Sequence, residues 1–186
     1  MLSPSELRKR ARKIKLLLMD VDGVLTDGRI YYLPGPRGGM IETKTFYSRD
    51  GLGLRFAHDA GLKTGILSGR SSPVVEYRAK ELGFHFILQG AVEKLEPYKK
   101  ILRAAGMKDE EVCYMGDDIV DLPVLMRAGL AVGVKDGDER VRPHIHYRTR
   151  AVGGRGAVRE TIEVILMAQG KWEAVTRRFF RSKREW

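Results

Sequence analysis

Leu16-Leu17-Leu18-Met19-Asp20-Val21-Asp22-Gly23-Val24-Leu25-Thr26 decides the fold, because an apolar run stops there at two carboxylates one residue apart. From Ile14 to Met19 only Lys15 is polar, as in a central strand covered on both faces by helices. Asp20 then stands at the carboxyl end of a buried strand, the edge where open α/β sheets bind ligands. Asp22, two residues on in an extended segment, points to the same side, and Gly23 permits a sharp turn. Two such carboxylates repel each other, and desolvation adds to the cost of ionising both, unless a cation lies between them or one keeps a proton. Mg2+ suits oxygen ligands. One Asp can attack an electrophile and the other can carry a proton as acid and base. An Asp-rich turn that merely closes a strand accounts for this stretch equally well when it is taken alone.

The 186 residues suffice for one sizeable core and favour one domain over two. With 43% hydrophobic and 31% charged residues the composition is that of an ordinary soluble protein. No apolar run approaches the roughly 18 residues of a membrane span, and the N-terminus has no apolar segment of signal-peptide type, so a cytoplasmic protein without a membrane partner is expected. Cys113, the single cysteine, lies in the apolar run Val112–Met115 and reads as a buried small hydrophobe. The net charge of +10 points to an anionic partner, either a phosphorylated metabolite or nucleic acid. The excess concentrates in Arg8-Lys9-Arg10-Ala11-Arg12-Lys13 and Arg177-Arg178-Phe179-Phe180-Arg181-Ser182-Lys183-Arg184. Terminal charge runs are usually solvated arms, and no nucleic-acid motif accompanies them. Strand-end carboxylates would repel a phosphate backbone, so no nucleic-acid partner is expected.

Ser3 to Lys13 predicts a basic lead-in helix. The β-prone runs Asp27–Leu33 and Met40–Tyr47 flank the turn-rich Pro34–Gly39, predicting a hairpin with an unusually long connection. A helix is expected from about Gly51 to Ala60 with Gly61 at its end, a strand at Lys63–Leu67, a helix through Val74, Val75, Arg78 and Leu82 up to Gly83, and a strand at Phe84–Leu88. Leu95–Ala105 is helical despite Pro97, which falls in the first turn. Strand Val112–Met115, helix Ile119–Ala128, strand Leu130–Val134, a short helical stretch near Asp138–Arg142 and helix Ala157–Ala168 complete the chain. His144-x-His146 flanks a terminal strand and is not read as a metal pair. This alternation predicts a doubly wound parallel sheet of the Rossmann-like α/β class in a single domain.

Comparing the strand ends strengthens the chemical reading. The first ends in Asp20 and Asp22, the next in Ser68 and Arg70, and the fourth in Asp117 and Asp118, while Lys94 opens a helix near the same edge. Alone, Ser68 is a helix cap, Lys94 a surface lysine and Gly116-Asp117-Asp118 a turn. Together a hydroxyl, an ammonium and carboxylates able to bind a cation suit a phosphoryl group.

In chain order these motifs resemble the haloacid dehalogenase superfamily of aspartate-nucleophile phosphatases. The segments Asp20–Gly28, Arg49-Asp50-Gly51, Ser68-Gly69-Arg70, Gln89-Gly90, Gly116-Asp117-Asp118 and Gly153–Glu160 resemble in particular its 3-deoxy-D-manno-octulosonate 8-phosphate phosphatase subfamily, over about residues 14–171. That resemblance implies Asp20 as nucleophile and Mg2+ ligand, Asp22 as acid and base that also lends its backbone carbonyl to the metal, and Asp117 as the remaining ligand. It implies Ser68 and Lys94 as phosphoryl holders, with Asp118 and Asp121 supporting the site. It places Tyr47, Ser48, Arg49, Asp50, Gly51, Arg55, Arg70, Arg78, Lys94 and Asp118 at substrate-contacting positions; an Arg fork matches the carboxylate of a 2-keto sugar acid. Tyr47, the long hairpin turn and the basic aromatic tail from Trp172 depart from the subfamily pattern. The same scaffold also serves 2-keto-3-deoxy-nononate 9-phosphate.

Two other classes share features with this chain. A phosphorelay receiver also uses a strand-end Asp, a hydroxyl and a Lys, but it needs no second Asp at the position of Asp22; a catalytically silent oligomerisation module needs none of the polar set. With no large cap between Thr26 and Gly51, the resemblance implies a homotetramer whose hairpins pack together and whose sites are completed by a neighbouring subunit, with Arg178-Phe179-Phe180 contributing to closure. The competing expectation is a hairpin folded back on its own core.

Overall fold

A computed structural model describes residues 1–180; the basic run Arg181-Ser182-Lys183-Arg184 lies outside the described residues. Helix α1 (Pro4–Ala11) leads into β1 (Leu16–Met19), all four residues of which are buried. Its alternating side chains fill two layers. Leu17 and Met19 pack with α2 (Ser48–Asp59), α3 (Pro73–Glu81) and α6 (Ala157–Ala168), whereas Leu16 and Leu18 pack with α4 (Leu95–Ala105) and α5 (Leu122–Leu125). Helices on both faces explain why the strand reads as a continuous apolar run.

The main sheet has six parallel strands in the order β5 (Phe86–Leu88), β4 (Lys63–Leu67), β1, β6 (Val112–Gly116), β7 (Leu130–Gly133) and β8 (Tyr147–Arg148). From β1 the chain builds outward first through β4 and β5, then through β6 to β8. The order therefore reverses between β1 and β6, and the crevice beyond their carboxyl ends is the expected ligand site. Asp20 and Asp117 stand on its two sides.

Several boundaries move for identifiable reasons. Helix α2 starts at Ser48 rather than Gly51, because Gly51 lies inside it: a β-carbon there would come within 2.9 Å of the Arg78 guanidinium. In place of one helix over 119–128, a 3-10 turn (Ile119–Asp121) draws Asp121 inward before the single turn of α5, which Pro123 opens. The helical stretch expected near Asp138–Arg142 is instead a 3-10 turn at Arg142–His144. The hairpin pairs β2 (Tyr31–Pro34) with β3 (Met40–Thr43), antiparallel, around a 3-10 turn at Pro36–Gly38. Its second strand ends early because Lys44 and Phe46 are pulled into the body of the domain, Lys44 buried and Phe46 against the core.

All four residues of β2 are exposed, so the hairpin does not fold back on its own core. Among the described residues no large cap covers the crevice. The tail forms an unforeseen helix, α7 (Trp172–Thr176), held by an aromatic cluster: the Phe56 ring meets Trp172 at 5.6 Å and Phe179 at 5.7 Å, and the Arg159 guanidinium lies 4.9 Å from the Phe56 and Trp172 rings. Arg178 pairs with Asp59 at 3.2 Å, and Lys171 Nζ donates to the Ala60 carbonyl at 2.9 Å. These contacts fix the described tail at the carboxyl end of α2, about 18 Å along a twelve-residue helix from its first turn. Within its own chain, then, the described part of the tail does not close the crevice. No helix among the described residues is long and apolar enough to cross a membrane.

Candidate active site

The crevice is an open cleft of about 430 Å³ lined by Asp20, Asp22, Ser68, Arg70, Lys94, Asp117 and Asp118. A larger depression of about 740 Å³ lies at the opposite end of the sheet, between Arg12–Lys15 and Met167–Lys171, and contains no carboxylate or hydroxyl side chain. The polar groups of the cleft arrive from strand ends and from the start of α4. Asp20 follows β1, its Oδ1 accepting from the Val21 N–H at 2.6 Å and its backbone N–H reaching the Met115 carbonyl at 2.9 Å. Ser68 follows β4, and its hydroxyl oxygen accepts from the Arg70 N–H at 3.3 Å, which leaves its own hydrogen free to donate. Lys94 caps α4 with its side chain only 1% exposed, and its Nζ bridges Asp20 Oδ2 at 2.6 Å and Asp121 Oδ1 at 2.7 Å.

Asp121 is the hub of the floor. Its Oδ1 also accepts from the Tyr114 hydroxyl at 2.6 Å, and its Oδ2 accepts from the N–H groups of Asp117 at 3.0 Å and Asp118 at 3.3 Å. The loop carrying Asp22 is clamped as tightly. Gly23 has φ +83°, and a β-carbon there would come within 2.0 Å of Asp117 Oδ2, so only glycine lets the loop approach that carboxylate. On its other side a β-carbon on Gly153 would come within 1.7 Å of the Gly23 carbonyl oxygen, and the Gly154 N–H donates to the Val24 carbonyl at 2.9 Å. The Gly153–Glu160 motif thus buttresses the loop.

Burial and the charge of Asp121 push the Asp20 carboxyl up to about 6, against the pull of Lys94. Burial, then Asp121 and Asp20, push Asp117 up to about 8. Lys94 moves upward as well: burial alone would depress it, but Asp20 and Asp121 outweigh burial. One ammonium among three carboxylates leaves uncompensated negative charge. Oxygens of Asp20, Asp117 and Asp121 lie within 4.8 Å of one another, and Asp117 Oδ1 is buried with no hydrogen-bond partner among the described residues. An unpartnered buried carboxylate oxygen in an all-oxygen setting fits a hard divalent cation. Asp121 already accepts four hydrogen bonds, so Asp20 and Asp117 are the carboxylates with capacity left for it.

The substrate-contacting set divides. Arg70, Lys94 and Asp118 line the cleft. Asp118 is exposed there and caps the following turn through the Ile119 N–H at 2.6 Å. Tyr47, Ser48, Arg49, Gly51, Arg55 and Arg78 do not line it. They lie at the hairpin's exit and along α2 and α3, with Arg78 over the Phe46 ring at 5.8 Å and Arg49 over Tyr47 at 5.9 Å. Asp50 is buried, and its carboxylate accepts from the N–H groups of Gly156 at 3.1 Å and Arg159 at 2.7 Å, anchoring the first turn of α6. Lys44 escaped the sequence reading. It is buried and ion-paired with Asp22, and nothing in Thr43-Lys44-Thr45 distinguishes it from an exposed hairpin lysine.

Comparison with known proteins agrees with this geometry. Residues 51–129 match the family model of the haloacid dehalogenase-like hydrolases. A 3-deoxy-D-manno-octulosonate 8-phosphate phosphatase from Yersinia pestis is 43% identical over 168 residues, spanning 90% of this chain and 88% of its own length. One from Escherichia coli K12 is 43% identical over 162 residues, 87% and 84% of the two chains. The crystal structure of the phosphatase of that name from Moraxella catarrhalis, in complex with magnesium, phosphate and a KDO molecule, superposes with a TM-score of 0.88 at 42% identity over 94% of this chain and 98% of that one. Sheet order, strand-end carboxylates and these likenesses agree: the chain belongs to the haloacid dehalogenase-like hydrolases and is a phosphatase similar to the 3-deoxy-D-manno-octulosonate 8-phosphate phosphatases.

Proposed function

We propose that this chain is a Mg2+-dependent phosphomonoester hydrolase, a single domain acting in the cytoplasm, that converts 3-deoxy-D-manno-octulosonate 8-phosphate to the free sugar acid and phosphate. The observation that carries the reading is the meeting of Asp20, Asp22, Ser68, Lys94 and Asp117 in one cleft at the sheet's switch point. An Asp20 oxygen bonds to phosphorus as the bond from phosphorus to the sugar oxygen breaks, and Asp22 gives its proton to that oxygen. Water then loses a proton to Asp22 as its oxygen bonds to phosphorus. The bond between Asp20 and phosphorus breaks, and the starting carboxylate returns with one phosphate released. Ser68 and Lys94 hold the phosphoryl oxygens. Asp20 and Asp117, with the Asp22 carbonyl, would hold Mg2+, which when bound neutralises phosphoryl charge. Arg70, at the cleft's rim, offers a guanidinium fork to the substrate carboxylate.

Phosphate release from a panel of phosphomonoesters tests the substrate. Turnover should be fastest on 3-deoxy-D-manno-octulosonate 8-phosphate, slower on 2-keto-3-deoxy-nononate 9-phosphate and at least about tenfold slower on hexose 6-phosphates lacking the carboxylate, the loss expected when a charge-assisted pair is missing. Equal rates on glucose 6-phosphate would overturn the sugar-acid reading.

The exposed hairpin supports a homotetramer with sites completed between subunits. Tyr32, Leu33, Met40 and Ile41 are each at least half exposed, from 50% to 70%, and an isolated two-stranded hairpin is marginal in water. Tyr47, Arg49 and Arg55, which do not line their own cleft, are then available to a neighbour's. Light scattering should report a tetramer, and Tyr31→Asp with Tyr32→Asp should lower both mass and turnover. A fully active monomer at assay concentration would refute this assembly.

A further inference from the structure

Asp22 receives one hydrogen bond among the described residues, and it comes from the hairpin: Lys44 Nζ donates to Asp22 Oδ1. The Lys44 side chain is 1% exposed, while that of Asp22 is 22% exposed toward the cleft. The other acidic neighbour of Lys44, Glu42, stands at 3.9 Å, too far for a hydrogen bond. Among the described residues Asp22 is thus the sole close partner of an enclosed ammonium, an arrangement that holds both groups in place because separating them would leave a buried charge unpaired. Asp22 Oδ2 is less constrained. Arg70 Nε lies 3.6 Å from it, and the same guanidinium turns its Nη2 to Glu42 at 3.1 Å.

A carboxylate that carries protons to and from a reacting oxygen must present one oxygen in a fixed direction, since misplacement by about 1 Å costs on the order of 10²-fold in rate. We propose that Lys44, delivered by the hairpin of its own chain, is a positioning residue: it pins Asp22 Oδ1 so that Oδ2 faces the cleft and performs both proton transfers. The hairpin then serves catalysis within its own subunit, separately from its part in assembly. This inference rests on the acid and base reading of Asp22.

The test is a double-mutant cycle with Lys44→Met, Asp22→Asn and the pair, read as kcat, KM, assembly state and melting midpoint. Lys44→Met should lower kcat about 10- to 100-fold, part of what an acid and base group contributes, with KM within about threefold. Asp22→Asn with Lys44→Met should be no slower than Asp22→Asn alone, within about threefold, because residues acting as a unit are not additive. A Lys44→Met enzyme with wild-type kcat overturns the inference, as does a rise in KM alone, which would make Lys44 a substrate contact. Losses that multiply in the double variant overturn it too, because they mark a structural role. If Lys44→Met does not fold, Lys44→Gln, which keeps an N–H donor of similar reach, replaces it: a kcat loss at an unchanged melting midpoint supports the inference, and wild-type kcat overturns it. Full turnover in Asp22→Asn would remove the underlying reading of Asp22, whereas an active Lys44→Met beside an inactive Asp22→Asn removes only the role of Lys44.

Discussion

Asp20→Asn should abolish phosphate release, with a loss on the order of 10⁴-fold or more, the scale seen when a nucleophile acting as part of a unit is removed. The amide is nearly the same shape as the carboxylate, so the cleft should survive the exchange while the chemistry does not. Lys94 loses one of its two carboxylate partners, at 2.6 Å, but retains Asp121 at 2.7 Å and stays paired. The repulsion that pushes Asp117 up to about 8 also loses one contributor. A near-wild-type melting midpoint is therefore expected beside the lost activity, which separates a missing nucleophile from a misfolded site. Acid-quenched enzyme mixed with labelled substrate should carry phosphate in the wild type and none in Asp20→Asn. Asp22→Asn should behave differently: departure of a sugar alkoxide slows, but an aryl phosphate with a good leaving group still phosphorylates Asp20, and the phosphoenzyme then accumulates because water lacks its base. Asp20→Asn retaining activity within tenfold of wild type would sink the mechanism.

What the sequence made legible was the part governed by local pattern. The run Leu16–Met19 reads as a doubly covered strand because both its faces are buried, and the helix at Leu95–Ala105 emerges with its expected limits because its apolar positions keep helical spacing up to Gly106, whose φ is +65°. Strand ends converge in any doubly wound sheet, so the grouping of Asp20, Ser68 and Asp117 followed once the strands were placed. The parts that escaped depend on contacts distant in the chain. Lys44 looks like a hairpin lysine until it meets Asp22, 22 residues earlier. Asp50, beside Arg49 in a motif of catalytic appearance, is spent on capping α6 more than 100 residues later. Helix α7 forms where no strong periodicity announces it, because Trp172 and Phe179 find Phe56 and Arg159. Tertiary packing overrode weak local preference in that segment.

Chelation should stop turnover completely, and returning Mg2+ should restore it; the pH dependence of metal stabilisation then tests the site's electrostatics independently of activity. Without a cation, Asp20 is pushed up to about 6 and Asp117 to about 8, both above the roughly 3.9 of an unfolded Asp. Groups raised on folding give stability that is fully present below the unfolded value and lost as pH rises through the folded values. The metal-free protein should therefore lose stability between about pH 4 and pH 8, most steeply in the lower half, where both carboxyls are protonated in the folded chain and ionised in the unfolded one, and less steeply above about pH 6, where only Asp117 still keeps its proton. A bound cation favours the ionised forms and competes with protons for the same oxygens. The rise in melting midpoint on adding Mg2+ should thus be small at pH 5 and largest near pH 8.5. Asp117→Asn separates the two effects, since it removes a carboxylate whose Oδ1 is buried without a partner among the described residues. That variant should be more stable than wild type in metal-free buffer at pH 8, yet show little response to Mg2+ and almost no turnover, as expected where a site stores repulsion for its ligand to relieve. Undiminished turnover in metal-free buffer, or a Mg2+ effect that shrinks as pH rises, would show that Asp20 and Asp117 do not hold the metal.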